Sequence, residues 1–94
     1  MRVLIGTTNV PTATTRVQIS NTVDKVKSIS VRARPANVGN AFFGIVTVSA
    51  TVGWVLQPGE ETVLDFGAGS VLFSVFYVDA ATNNNKVDYV AVVE

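Results

Sequence analysis

The sequence predicts an all-β chain: an antiparallel β-sandwich with Greek-key or jelly-roll-like connections and an extended N-terminal arm. Three observations carry this. No segment sustains a 3.6-residue apolar period, period-2 alternation recurs along the chain, and β-branched residues dominate those runs. Clusters of Gly, Pro, Asn and Asp punctuate the runs at spacings of roughly ten to fifteen residues, the pattern of a sandwich or barrel. An SH3-like or OB-type barrel is the nearest rival, but OB folds normally carry a helix and no helical pattern is present.

Residues 1–15 read as the arm. Met1 to Ile5 is a short apolar piece, and the threonine-rich Gly6 to Thr15, with Pro11 inside it, is too poor in apolar residues to join a core. Val3, Leu4 and Ile5 could still add a strand to something, and the arm either frays as a terminus or reaches a neighbouring subunit. Residues 16–94 form the sandwich domain. Its first strand points Val17 and Ile19 inward and Arg16, Gln18 and Ser20 outward, and ends in a turn at Asn21 to Asp24. In KVKSISVRAR, Lys25 to Arg34, one face carries Ile29, Val31 and Ala33, and the other Ser28, Ser30, Arg32 and Arg34, so one side is wet. Val26 falls out of phase with Ile29, which predicts a bulge or pairing that begins near Lys27.

The turn PANVGN, Pro35 to Asn40, closes that strand. Ala41 to Ser49 follows as a strand apolar on both sides, with Gly44 marking a bulge or close backbone approach. Ala50 to Gly59 is irregular, and its Pro58-Gly59 centre suits a type II turn. Glu61 to Phe66 is a short strand in which Val63 opposes Leu64 and Phe66 in phase, and Gly67 to Gly69 turns the chain again.

Ser70 to Val93 has the strongest β pattern, two runs flanking a turn with three consecutive asparagines, and reads as a β-hairpin. In its first arm Val71, Phe73, Val75 and Tyr77 would share one face and Leu72, Phe76 and Val78 the other. A strand apolar on both faces is either covered twice or meets another chain. Because Ala41 to Ser49 shares this property, pairing of the two elements would gather Phe42, Val46, Leu72, Phe76 and Val78 into a patch too large to leave wet. With Val3, Leu4 and Ile5 these residues form the predicted oligomer or partner interface.

Composition bounds the function. The 94 residues make one small domain with 48% apolar and only 15% charged residues, few charges to solvate its outside. Net charge is zero, which argues against nucleic acid and anionic membranes as partners. Histidine and cysteine are both absent, so the usual catalytic base, thiolate nucleophile and soft metal ligands are missing, and no catalytic residue, metal site or cofactor is assigned. Paired carboxylates for glycoside hydrolysis remain chemically possible, but the seven acids fall mostly at turns and strand ends. Asp79, Asn83 to Asn85 and Asp88 invite a calcium reading, against which Asn-rich tips simply tolerate left-handed backbone. Arg32 and Arg34 are candidate surface recognition residues for phosphate or carboxylate, with solubilising charge the plainer account. Trp54 in a loop is a candidate sugar-stacking ring or a cap on the end of the sandwich.

VKSISVRARPANVGNAFFG, GWVLQPGEETVLDF and FYVDAATNNNKVDYVAV carry a pattern of Arg34, Asn37 and Gly39, then Gly53, Trp54, Leu56, Pro58, Gly59 and Glu60, then Val78, Asp79 and Ala80. Over about two thirds of the chain this resembles small structural proteins of tailed bacteriophages. The resemblance implies a virion component without catalysis, made in the host cytoplasm, such as a capsid decoration (cement) protein. It implies self-association, with a trimer expected, and a major capsid or other virion protein as partner. The alternative is a tail or receptor-binding module that holds carbohydrate through Trp54.

Overall fold

The computed structural model describes residues 2–94. In chain order its strands are β1 (Arg2–Val10), β2 (Val17–Gln18), β3 (Lys25–Ala33), β4 (Ala41–Gly44), β5 (Trp54–Leu56), β6 (Glu61–Asp65), β7 (Val71–Leu72), β8 (Tyr77–Ala80) and β9 (Asn85–Val93), with one 3-10 turn over Phe73–Val75. The fold is all-β, in two antiparallel sheets. The larger is ordered β1-β9-β3-β6, with β7 also pairing β3, and the smaller β2-β8-β4-β5.

Both sheets supply one apolar core. Alternation along β3 sends Ile29, Val31 and Ala33 inward, and β9 adds Val87, Ala91 and Val93. The expected irregularity at Val26 is a register shift between Val26 and Ser28, which restores Val26 to the core side. From the smaller sheet come Ala41, Phe43, Leu56, Val78 and Ala80. Aromatic rings join the layers: Phe43 lies 5.6 Å from Phe76, Phe76 lies 6.2 Å from Phe66, and Phe73 meets Tyr89 edge-on at 5.3 Å. The Gln57 to Glu60 turn forms as its sequence suggests: Gly59 has φ +88°, and Glu60 N–H donates to the Gln57 carbonyl at 2.9 Å.

Three expectations need correction. Residues 2–10 of the predicted arm form β1, paired along its whole length with β9 at the edge of the larger sheet. Its inward positions are Leu4, Gly6, Thr8 and Val10, so the two in the middle are not large apolar residues. Tyr89 fills the space over Gly6, where a Cβ would lie 2.8 Å from the ring carbon that bears the hydroxyl. Ala41 to Ser49 is a strand only as far as Gly44; Val48 then folds back, buried, against Gly44 and Gly53.

The third correction concerns Ser70 to Val93, which is not a hairpin: β8 belongs to the smaller sheet and β9 to the larger. The 3-10 turn explains the doubly apolar run. By lengthening the spacing between inward positions from the two-residue step of a strand to a three-residue step, it places both Phe73 and Phe76 in the core, followed by Val78 and Ala80. Two strand fragments in different phases had looked like one strand wet on neither side.

The asparagine tip crosses between the sheets and is fastened by its side chains. Asn83 Oδ1 accepts from Ala13 N–H at 2.7 Å. Asn85 exchanges two hydrogen bonds with the Val38 backbone, at 3.1 and 2.8 Å, and Asn37 does the same with Lys86, at 2.8 and 2.9 Å. Asn84 adopts φ 63°, the left-handed conformation such tips tolerate. Gly39, beside Asn37 in the first turn of the resemblance pattern, has φ +76°.

Candidate interaction surface

Two surfaces stand out. The first is the β4-β5 hairpin and the irregular loop at its tip. Gly53, at φ +118°, lets the chain pass close to Phe43, since a Cβ there would lie 2.7 Å from the Phe43 carbonyl oxygen. Val48 fills the space beside it, and Val48 N–H donates to the Ile45 carbonyl at 2.8 Å. With Val48 inside, the rest of the tip is turned out: Ile45, Val46, Val52, Trp54 and Val55 are each about half exposed. The Trp54 ring, 49% exposed as a residue, leans on Phe43 at 6.0 Å with an interplanar angle of 32°. One face of the indole is thus anchored to the core while the remainder is accessible.

The second surface is the outer face of the larger sheet. Register places Ile5, Val90, Ser30 and Val63 in one row across β1, β9, β3 and β6, and Thr7, Asp88, Arg32 and Glu61 in the next. The rows line a groove of about 490 Å³. Its apolar side is exposed at Ile5 and Val90, and Val63 stands exposed beyond its rim. Its polar side is internally matched. Asp88 accepts from the Thr7 hydroxyl at 2.6 Å and from Arg34 Nε at 3.0 and 3.1 Å, and Arg32 reaches it at 3.5 Å. Partial burial alone would raise the Asp88 pKa, but the Thr7 and Arg34 hydrogen bonds, the Arg34 charge and Arg32 outweigh it and hold the carboxyl below its ordinary value. Ser30 donates to Glu61 at 3.2 Å.

The predicted interface divides between surface and core. Val3, Ile5, Val46 and Leu72 are exposed and Leu4 is half-buried against the core. Phe76, Val78 and Phe42 are 4%, 0% and 6% exposed, so they offer no surface for a partner. Phe76 and Val78 were misplaced by the phase change at the 3-10 turn. Phe42 is buried outside the main core cluster, in register between Val55 and Asp79. Arg32 and Arg34 stand together as expected, but are drawn onto Asp88. Reading the sequence passed over Ile45, Val52 and Val55, because the Gly53 turn that exposes them has no period-2 signature. Asp88 and Val90 were within reach, since alternation through VDYVAVV puts both on one face.

Asn83 and Asn85 of the supposed calcium site spend their side-chain amides on backbone groups, and among the described residues no three His, Cys, Asp or Glu side chains gather. No family model, curated protein or solved structure matches this chain.

Proposed function

We propose that this chain is a non-enzymatic structural protein, a self-associating β-sandwich of Greek-key type that docks on the outer face of a virion shell. That is the role the resemblance to small tailed-phage proteins implies. The observation that supports it best is the β4-β5 tip. Five apolar side chains, contiguous at one tip, are held half-exposed by a buried Val48 and by Gly53 at a positive φ. Such a patch, without charge and rigidly backed, suits an apolar depression on another protein. Cosedimentation with phage heads stripped of their own decoration tests it. Binding that survives 0.5 M salt, about the range in which charge-led contacts are screened, and falls at least about tenfold with Val46→Ser plus Val52→Ser supports docking through the tip. Equal pelleting of the double variant, or none by the parent chain, sinks it.

The half-exposed Trp54 ring favours one second reading, a module that stacks a sugar. Glycan-array binding abolished by Trp54→Ala but kept by Val46→Ser identifies that function instead.

A further inference from the structure

We infer that β1 is a docking edge for a second copy of this chain, pairing antiparallel with β1 of that copy about a two-fold axis through Ile5. This deepens the self-association proposed above and does not rest on the shell as a partner. The argument starts from hydrogen-bond phase. Arg34 N–H donates to the Lys86 carbonyl at 3.2 Å and Glu94 N–H to the Lys25 carbonyl at 3.0 Å, so the even-numbered residues of β9 face β3. Antiparallel strands alternate the side to which successive residues bond. The odd-numbered residues of β9 therefore face β1, where their register partners are Arg2, Leu4, Gly6 and Thr8. The backbone N–H and C=O groups of Val3, Ile5, Thr7 and Asn9 point away from the sheet, and none takes part in any turn or loop hydrogen bond. They form a ready template for strand addition.

The other sheet edges indicate why the occupant is a second copy. In the smaller sheet the edge strands β2 and β5 are two and three residues long. On the far edge of the larger sheet, β6 bonds to β3 through its even-numbered residues, as Ala33 N–H to the Glu60 carbonyl (2.9 Å) and Phe66 N–H to the Lys27 carbonyl (3.0 Å) require. A two-fold pairing of β6 about Val63 would set Glu61 opposite Asp65 of the other copy, twice, and like charges directly opposed are destabilising. Two edges are thus too short to template a strand, and the third repels itself. β1 carries none of these safeguards: from Val3 to Val10 it has no charge, no proline and no bulge across eight register pairs.

The register follows from the side chains. A two-fold through Ile5 brings together the two copies of the most exposed apolar residue in either sheet, 75% accessible, and pairs Val3 with Thr7. On the inner side it sets half-buried Leu4 opposite Gly6, beside the Tyr89 ring. The product is one continuous sheet across two molecules, with the grooves on its outer face side by side.

Sedimentation velocity over a hundredfold concentration range, with amide hydrogen exchange by NMR, tests the pairing on the full chain. Expected are a concentration-dependent dimer and exchange of the Val3, Ile5 and Thr7 amides slowed at least about tenfold in the dimer relative to dilute protein. Ile5→Lys, which places two ammonium groups at the axis, and Ile5→Pro, which removes only an outward-facing N–H, should both give folded monomers by circular dichroism. Val63→Lys on the opposite edge should leave the dimer intact. A wild-type monomer throughout overturns both self-association and this inference. An oligomer, trimeric or otherwise, that survives both Ile5 variants or dissociates with Val63→Lys overturns the β1 pairing alone.

Discussion

The two sheets are built from different resources. The larger relies on long ladders: β1, β3 and β9 are nine residues each, and the inner faces of β3 and β9 are built mainly of Val, Ile and Ala. The smaller has strands of two to four residues and compensates with large rings and close backbone contacts, Phe43 against Phe76 and Trp54, and Gly53 against Phe43. Ladders distribute their energy over many weak bonds, whereas a short strand held by one ring concentrates it. Single substitutions should therefore be felt unequally.

The largest effect is expected at Phe43, fully buried and in contact with two other rings: Phe43→Ala should lower stability by about 3–5 kcal/mol in urea unfolding. Val63→Ala on the outer face of the larger sheet should stay within about 0.5 kcal/mol. Comparable values would erase the distinction. Next comes Gly53→Ala, which adds a Cβ 2.7 Å from a carbonyl oxygen in a backbone region open mainly to glycine. It should cost about 1–3 kcal/mol, more than Gly6→Ala in the larger sheet, where the obstacle is a side chain able to yield. Asn85→Ala removes both bonds to Val38 at the crossing between the sheets, and the part-buried backbone groups left behind should cost about 1–3 kcal/mol, read as a lower melting temperature. Asp88→Asn sharpens the comparison from the weak end. Because the folded pKa of Asp88 is held below its unfolded value, its stabilisation is present at neutral pH and lost as pH falls through about 4 and then through the lower folded value. The parent should exceed the variant by under about 1 kcal/mol at pH 7, and the two should converge in acid.

The same division decided what was legible in the sequence. Lys25 to Arg34 belongs to the larger sheet, and its alternation gave the strand, its wet face and the bulge near Val26, because one core face and one solvent face impose a strict period of two. The all-β class and the Pro58-Gly59 turn followed from equally local chemistry. β1 was hidden because the two middle inward positions between Leu4 and Val10 are Gly6, over which a distant Tyr89 lies, and Thr8; no local pattern reports a ring supplied from the other end of the chain. The 3-10 turn at Phe73 was hidden too, because a three-residue step inside a β-type run has neither a helical nor a strand signature. From that one phase error followed the hairpin that is not there and the assignment of Phe76 and Val78 to a surface. Of the candidate site, the arginine pair and Trp54 could be read, whereas the apolar tip depends on how Gly53 folds it back.

The pairing of Arg2 with Val93 has a mechanical consequence. The first and last strands run antiparallel with their outer ends together, so tension applied through the two ends would part the β1-β9 ladder one bond at a time, like a zip, instead of shearing all its bonds at once. Pulled in that direction the domain should yield at low force. Pressed or tugged across its faces, it meets the whole ladder together. A molecule built this way resists load as a tile, fixed by its surfaces, and not as a link in a chain.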